Sequence, residues 1–569
     1  MIIINIKERN SNVKDINRLS DKYNISKDIV LFLLGRGVAE TTIPLLVSKN
    51  ELTLYNNDSL SNVREAAELI NRYLQDNTAT IYIFGDYDSD GVNATYIMYN
   101  ALVELAEAIE STVTIQYYLP NREEGYGLSL EWCQTVKDTS NALVITVDNG
   151  IAKKLEVAYL IEHGIEVLVT DHHQPQTSFV PECLIVDAHY HNDDNNAKGL
   201  CGAAVAYKII AYLYQDMYEY DFIYVKKYIA HVGIATITDM MPFTEENIIF
   251  VSNTLKYLND YPYTNEEFTP VTESIYYYAE LNKGANIKAK DIAFGLGPQI
   301  NSCGRMGDIQ LAMNFMLADD EDTFADLYKA IDDLNETRKN KTKILTADIP
   351  APKTTDLSLV VKLKDVEGIA GSIASNLCDK YGMPVIVFSE GKGIISGSAR
   401  APEGFNLQTL FTTTEHVVSF GGHECAAGIS IQSKDYAKFK KAFNKTISKT
   451  PVTIASIGDT TTYVDKIITG SDINKYTINQ YDNVLFFNEF TRPVYGLKNV
   501  QITGYHTSKN NPNNICFHIK NKSKEIKVWS WGYGSTYKAM GEPKLVDIVG
   551  TLEVFNGMYV IDIHNIEAV

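Results

Sequence analysis

The sequence predicts an α/β protein of several domains: a parallel-sheet domain, a smaller α/β block joined to it by a long helix, and an all-β domain at the C-terminal end. Three observations carry this. Between about residues 80 and 240, short apolar runs rich in β-branched residues alternate with helical stretches, as in strands paired in parallel through crossover helices. Residues 321–346 then carry an unbroken helical apolar repeat that ends near Ile349-Pro350-Ala351-Pro352. Beyond Lys449-Thr450-Pro451 the chain turns to short strands, aromatics and Gly/Asn turns.

Taken in order, residues 1–75 form a helical N-terminal segment, with Ile29, Phe32 and Leu33, and again Ala66, Leu69 and Ile70, at i, i+3, i+4. Residues 76–318 hold the parallel sheet, with strands at 81–84, 114–118, 143–147 and 167–169 and a helix at 153–162. The connecting helix occupies 319–350 and places Phe324, Leu327, Tyr328, Ile331 and Leu334 on one face. Residues 351–450 make the second α/β domain, and 451–569 the all-β barrel, with a turn at Asn556-Gly557.

A hydrophobic content of 45% with 21% charged residues is that of a folded chain and excludes a disordered one. No run of 18 or more apolar residues offers a membrane span. Lys7 and Arg9 follow a short apolar stretch, the reverse of a signal peptide's order, so a cytoplasmic protein is expected. The seven cysteines are scattered and never form CxxC, so neither a disulfide framework nor a zinc site is expected from them. A net charge of −20 argues at first sight against a nucleic-acid partner. Its distribution argues the other way. Residues 498–544 contain eight Lys, two Glu and no Arg or Asp, a local +6. Lys522, Lys524 and Lys527 are interleaved there with aromatics that include Trp529 and Trp531, the composition of a surface that stacks bases and tracks a single strand.

The chemistry is concentrated where strands end. One runs into Gly85-Asp86-Tyr87-Asp88-Ser89-Asp90-Gly91, a second into Asp148-Asn149-Gly150, a third into Asp171-His172-His173. A fourth strand, the apolar stretch 232–237, is expected to deliver Asp239 in the same way. Ligand sites of open parallel sheets lie beyond the carboxyl ends of the strands, so these groups should converge. A DxDxDG run alone also suits a calcium loop or a solvated turn; the joint placement favours a metal site. So many carboxylates in one place need cations, and an oxygen-rich set with one or two imidazoles and no thiolate suits Mn²⁺ or Mg²⁺. A pair of such ions serves phosphodiester hydrolysis.

The order DYDSDG, VDNG, TDHH, ATITDMMP resembles the four ligand motifs of the DHH phosphoesterases in their RecJ-like form. Further segments are similar to that family: Arg36-Gly37, PNR at 120–122, EGYG at 124–127, KGLCGA at 198–203, GPQINSCGR at 297–305, SGSAR at 396–400, and Gly421-Gly422-His423 followed by Ala426-Ala427-Gly428. The resemblance implies a DHH domain, a DHH-associated domain and a C-terminal OB-fold. It implies Asp86, Asp88, Asp148, His172 and Asp239 as ligands of two ions, with Asp148 between them. Asp90 belongs to the motif as a sixth ligand or as a loop-shaping residue, and His173 stands beside the scissile phosphate. Arg122, Asn301, Arg305, Ser396, Ser398, Arg400 and His423 are the implied substrate contacts, with Arg122 a candidate anchor for a 5′-phosphate.

The implied activity is processive 5′→3′ hydrolysis of single-stranded DNA to mononucleotides, in recombination and repair, by a monomer working beside a single-strand-binding protein or helicase. Two other readings stand beside it: a DHH phosphodiesterase of short oligonucleotides or RNA, and a non-catalytic DHH-fold replication scaffold. Two departures from the family pattern bear on substrate contacts. Gln299 stands where Arg is usual, and Asp365-Val366-Glu367-Gly368 lacks a Trp-His pair.

Overall fold

The computed structural model of the protein describes residues 5–8, 15–260, 286–353, 356–402, 404–422, 424–449, 461–509, 511–555 and 557–569. Its first sheet has five parallel strands in the spatial order Thr114–Tyr118, Thr80–Phe84, Ala142–Val147, Glu166–Thr170, Leu184–Val186. Four are the apolar runs expected from the sequence. The fifth has three residues, too few to carry a readable period. Ala142–Val147 is buried along its whole length because helices cover both faces of the sheet, which is why it reads as a continuous apolar run. Leu143, Ile145 and Val147 enter one helical layer, Ala142 and Val144 the other.

The strand order reverses between Thr80–Phe84 and Ala142–Val147. The chain's next strand after Thr80–Phe84 lies on one side of it and the one after that on the other. Loops leaving the carboxyl ends there diverge and open a crevice.

The N-terminal segment is helical from Ile16 onward, with helices Ile16–Tyr23, Lys27–Gly35, Ile43–Val47 and Val63–Leu74, whereas Asn5–Glu8 within the stretch expected to be helical is a strand; all six residues of the two apolar triplets are buried. The connecting helix is Glu321–Ala347. It leads to a second five-stranded sheet in the order Val417–Gly422, Ala426–Gln432, Ile394–Arg400, Val385–Ser389, Leu359–Leu363, in which only the last pair is parallel. The boundary near residue 450 and Asn556 of the expected turn lie outside the described residues.

The C-terminal domain is a closed barrel. Strands Val494–Thr507, Ile515–Asn521, Lys524–Ser530, Met558–Ala568 and Leu545–Phe555 pair in that order, and the last pairs back to the first. It is docked firmly on the N-terminal helices. Nε and Nη2 of Arg36 donate to the two oxygens of Asp465 at 2.8 and 2.6 Å, and that carboxylate is buried. A bidentate pair of this kind fixes both distance and orientation. The ring of Phe32 meets those of Tyr481, Phe486 and Phe490 beside it. The strand Asn5–Glu8 pairs in parallel with Thr461–Val464.

Candidate metal centre

The loops at the switch point deliver their side chains into one crevice. Asp86 follows Thr80–Phe84 and is buried. Asp88 is the N-cap of helix Ser89–Ala108: its Oδ1 accepts from the backbone N–H of Asp90 and Gly91 at 3.0 and 3.1 Å. Asp148 follows Ala142–Val147 with φ +61°, a left-handed conformation uncommon outside glycine. Its neighbours hold it there. The side-chain amide of Asn149 donates to the carbonyls of Phe84 and Val147, tying the ends of two adjacent strands, and the Tyr126 hydroxyl donates to the Asp148 carbonyl at 2.9 Å. Gly202 completes the wall: a Cβ on it would lie 2.5 Å from that of Asp148.

Asp171 is buried and acts as a hub, accepting from the N–H of Ile151, His172 and His173 and lying 2.7 Å from Nδ1 of His173. Asp239 arrives from the C-cap of the buried helix Ile229–Thr238, not from the fourth strand expected there, because a short apolar run suits a buried helix as well as a strand. Three groups of ligand atoms result, each within 4.8 Å: Asp86, Asp88 and Asp148; Asp148, His172 and His173; Asp90, His172 and Asp239. Asp148 belongs to the first two, and its oxygen lies 3.1 Å from Nε2 of His172. Asp90 has a second task, since its two oxygens accept from the N–H of Gly202 and Ala203 at 2.7 and 2.8 Å and cap helix Gly202–Ala211.

The electrostatics are those of a centre that wants cations. Burial, then repulsion from neighbouring carboxylates, pushes Asp86 and Asp148 well above the usual carboxylate range, and Asp239, seated in the same crevice but 35% exposed at its side chain, moves in the same direction through lost solvation and the charges of Asp90 and Asp88. Burial, then the Asp88 charge, lifts Asp90 to about 7. Burial and the charge on His173 drop His172 to about 3, leaving its imidazole neutral and fit to be a ligand. Burial opposes a charge on His173, but the hydrogen bond and charge of Asp171 outweigh it and raise this group to about 9. Among the described residues the buried Oδ1 atoms of Asp86 and Asp148 find no hydrogen-bond partner, the approach of His172 to the latter being a close contact without hydrogen-bond geometry. Buried carboxylate oxygens left so are costly, and a hard divalent ion satisfies them. The donor set therefore fits Mn²⁺ or Mg²⁺.

A second cluster, of arginines, adjoins this one. Arg305 ends the helix Gly297–Met306, whose Gly304 lets it press onto the first loop: a Cβ there would lie 2.0 Å from the Tyr87 carbonyl. Burial, then the charges of Arg122, Arg338 and Arg400, pulls Arg305 down to about 10. Arg122 lies over the Tyr87 ring at 4.7 Å, and its buried Nε has no hydrogen-bond partner among the described residues. Arg400 is lowered by burial and stands with Ser398 beside Gly371, at the start of helix Ala370–Tyr381. Arg338 comes from the connecting helix and is absent from the sequence-based candidates, because on a helix it reads as an ordinary solvated charge.

Other candidates are placed differently. The Asn301 side chain accepts from the Ser89 N–H at 2.9 Å, so it braces the metal loop. Gln299 is buried and donates to Asp332 of the connecting helix at 2.9 Å. Gly368 keeps its contact, its carbonyl accepting from Arg305 at 3.0 Å, without a Trp-His pair before it. The Ser396 hydroxyl lies 3.1 Å from that of Ser430 on an exposed strand face. His423 lies outside the described residues. Lys522, Lys524 and Lys527 are exposed on the barrel, where the rings of Trp529 and Trp531 stack on each other at 5.6 Å.

Comparison with known proteins finds the same succession of domains. Residues 80–236 match the DHH family N-terminal domain, 357–449 the DHHA1 domain and 464–563 the RecJ OB domain. The chain is 26% identical to the single-stranded-DNA-specific exonuclease RecJ of Bacillus subtilis over 553 residues, covering 95% of this chain and 67% of that one. It is 28% identical to the RecJ of Haemophilus influenzae, covering 70% and 71%. The crystal structure of RecJ from Thermus thermophilus in complex with Mn²⁺ superposes with a TM-score of 0.80 at 20% identity, covering 99% of this chain and 79% of that one. The chain belongs to the DHH family in its RecJ-like form, with DHHA1 and RecJ OB domains following the DHH domain.

Proposed function

We propose that the protein is a metal-dependent exonuclease of single-stranded DNA that degrades its substrate from the 5′ end. The observation that carries this reading is the crevice itself, where buried carboxylates with partnerless oxygens adjoin a cluster of arginines. Asp86, Asp88, Asp148, His172 and Asp239 would hold two divalent ions, with Asp148 shared between them. Ions held there supply positive charge to the phosphoryl group and lower the pKa of the attacking water. Asp90 positions this set by capping helix Gly202–Ala211. Asp171 holds His173 protonated near neutral pH, so that its imidazolium can stabilise charge developing on the scissile phosphate.

Arg122, Arg305 and Arg400, with Arg338 behind them, would bind the terminal phosphate and set direction, since guanidinium forks match phosphate oxygens. The barrel, with its exposed lysines and paired tryptophans, would hold the strand further along. The relatives' names support DNA as the polymer. A scaffold would have no use for buried carboxylates that repel one another, and a phosphodiesterase of very short oligonucleotides would have none for the barrel.

The test is product analysis with end-labelled strands in Mn²⁺ or Mg²⁺. Mononucleotides released in order from a long 5′-phosphorylated DNA strand, with duplex spared, are expected. Release only from oligonucleotides of a few residues, or from RNA in preference, would transfer the reading to the short-substrate or RNA class, and inertness on all of them would favour a scaffold.

A further inference from the structure

Beyond the crevice, the described residues gather one other set of strong ligand side chains, on the outer face of the barrel. In the antiparallel pair formed by Val494–Thr507 and Ile515–Asn521, His506 lies directly opposite Cys516. Cys516 and His518 are two residues apart on one strand and so share a face. That face is the outer one, because Phe517 and Ile519 point into the barrel core. Nδ1 of His506 is 2.9 Å from Nε2 of His518, and the ligand atoms of all three residues lie within 4.8 Å of one another. Behind them stands a carboxylate: Nδ1 of His518 is 3.1 Å from Oε1 of Glu525 on the neighbouring strand, and the other oxygen of Glu525 accepts from the Thr503 hydroxyl at 2.5 Å.

We propose that His506, Cys516 and His518 form a second metal site, for Zn²⁺ or a similarly borderline ion, chemically distinct from the oxygen-rich centre of the DHH domain. Two imidazoles and a thiolate are the ligands such ions prefer and Mn²⁺ or Mg²⁺ do not. Glu525 is the outer partner that a ligating histidine needs. By accepting from Nδ1–H of His518 it fixes the tautomer that turns the Nε2 lone pair towards His506. Two nitrogens bound to one tetrahedral ion at about 2.0–2.1 Å stand about 3.3 Å apart. The two nitrogens already stand within about half an ångström of that spacing. Three protein ligands leave one position open on the exposed His506 side. The ring of Trp529 packs edge-on against His506 at 5.3 Å, so an ion there would fix the tryptophan pair that the barrel presents.

The experiment titrates the full-length protein with Co²⁺ while excess Mn²⁺ occupies the oxygen-rich centre. One equivalent should bind with a thiolate-to-cobalt absorption band and quench tryptophan fluorescence, since two of the three tryptophans adjoin the site. Zn²⁺ should displace the Co²⁺ and erase the band. Cys516→Ser should remove the band, and His506→Ala, an exposed position that tolerates truncation, should weaken Co²⁺ binding by at least about tenfold. Glu525→Gln should weaken it by roughly 10–100-fold. Mn²⁺-dependent hydrolysis should persist in all three variants. A wild-type protein without the band, or a band that survives Cys516→Ser, overturns the proposal, and neither result bears on the nuclease reading.

Discussion

The acidic centre and the arginine cluster are neighbours built in opposite senses. In one, burial and mutual repulsion push carboxylates up; in the other, the same two causes pull Arg305 down. Opposite charges so close would ordinarily pair, yet among the described residues no ion pair joins the two sets. The contacts of Asp90, Asp148 and Asp239 within ion-pair distance run to His172 instead. A structural salt-bridge network spends its charge within the protein. On the proposed reading each sign is held back for something that arrives from outside, cations on one side and phosphate on the other.

The sharpest way to break the comparison is Asp148→Ala. It removes the carboxylate shared by two ligand groups, and turnover in Mn²⁺ should fall by at least roughly 10³-fold with the fold and DNA binding retained. Activity within tenfold of wild type would disprove the shared-ligand assignment. Arg305→Ala or Arg400→Ala attacks the other side. Each should cost about 1.5–3 kcal/mol, one to two decades of apparent affinity, on 5′-phosphorylated strands and much less on 5′-hydroxyl strands. Equal losses on the two would show that these residues do not read the end.

The barrel should behave differently from both. Trp529→Ala or Trp531→Ala should cost about 1–3 kcal/mol of affinity for long strands if the rings stack on bases. Joint replacement of Lys522, Lys524 and Lys527 should flatten the salt dependence by about 0.7 for each phosphate no longer neutralised. Turnover of oligonucleotides too short to reach the barrel should not change. An unaltered salt slope, with turnover reduced equally on long and short substrates, would make the barrel a structural element only.

The smallest effect is on stability without metal. Asp90 has a folded-state value of about 7 against an ordinary 3.8, so the folded chain keeps a proton that the unfolded chain releases as pH rises between those values. The metal-free protein should therefore lose stability across that window, and Mn²⁺ should restore it most at the upper end. Asp148→Asn should raise the metal-free melting temperature by roughly 2–4 °C for each kcal/mol of repulsion relieved, while losing the Mn²⁺ response. Thermal scans at several pH values, with and without Mn²⁺, decide this.

Local features of the site are legible in the sequence. Asp86, Asp88, Asp148 and His172 stand just after strands whose apolar runs announce them, and chemistry at a strand end needs no knowledge of distant partners. Asp239 is legible as a residue but not in its setting, because a short apolar run does not by itself distinguish strand from helix. Tyr126 lies within the EGYG motif, but its hydrogen bond to the Asp148 carbonyl depends on how two loops meet. Arg338 is hidden by lying on a helix, where charge is the default expectation. The His506, Cys516 and His518 cluster is hidden more deeply. A search for CxxC passes over Cys516 and His518, two apart on one strand, and His506 joins them only through the register of two strands, which the sequence does not specify.

The ion pair between Arg36 and Asp465 has a consequence in time. The two residues are 429 positions apart. At about 5–20 residues per second of synthesis, roughly 20–90 s separate their emergence. Throughout that interval the apolar face around Phe32 waits without Tyr481, Phe486 and Phe490 to cover it, and a buried-to-be guanidinium stays in water. The first helices to be made are thus among the last to be finished. A chain truncated before the barrel would keep that face open, and should be found with chaperones or in aggregates even though every residue of its hydrolytic crevice is present.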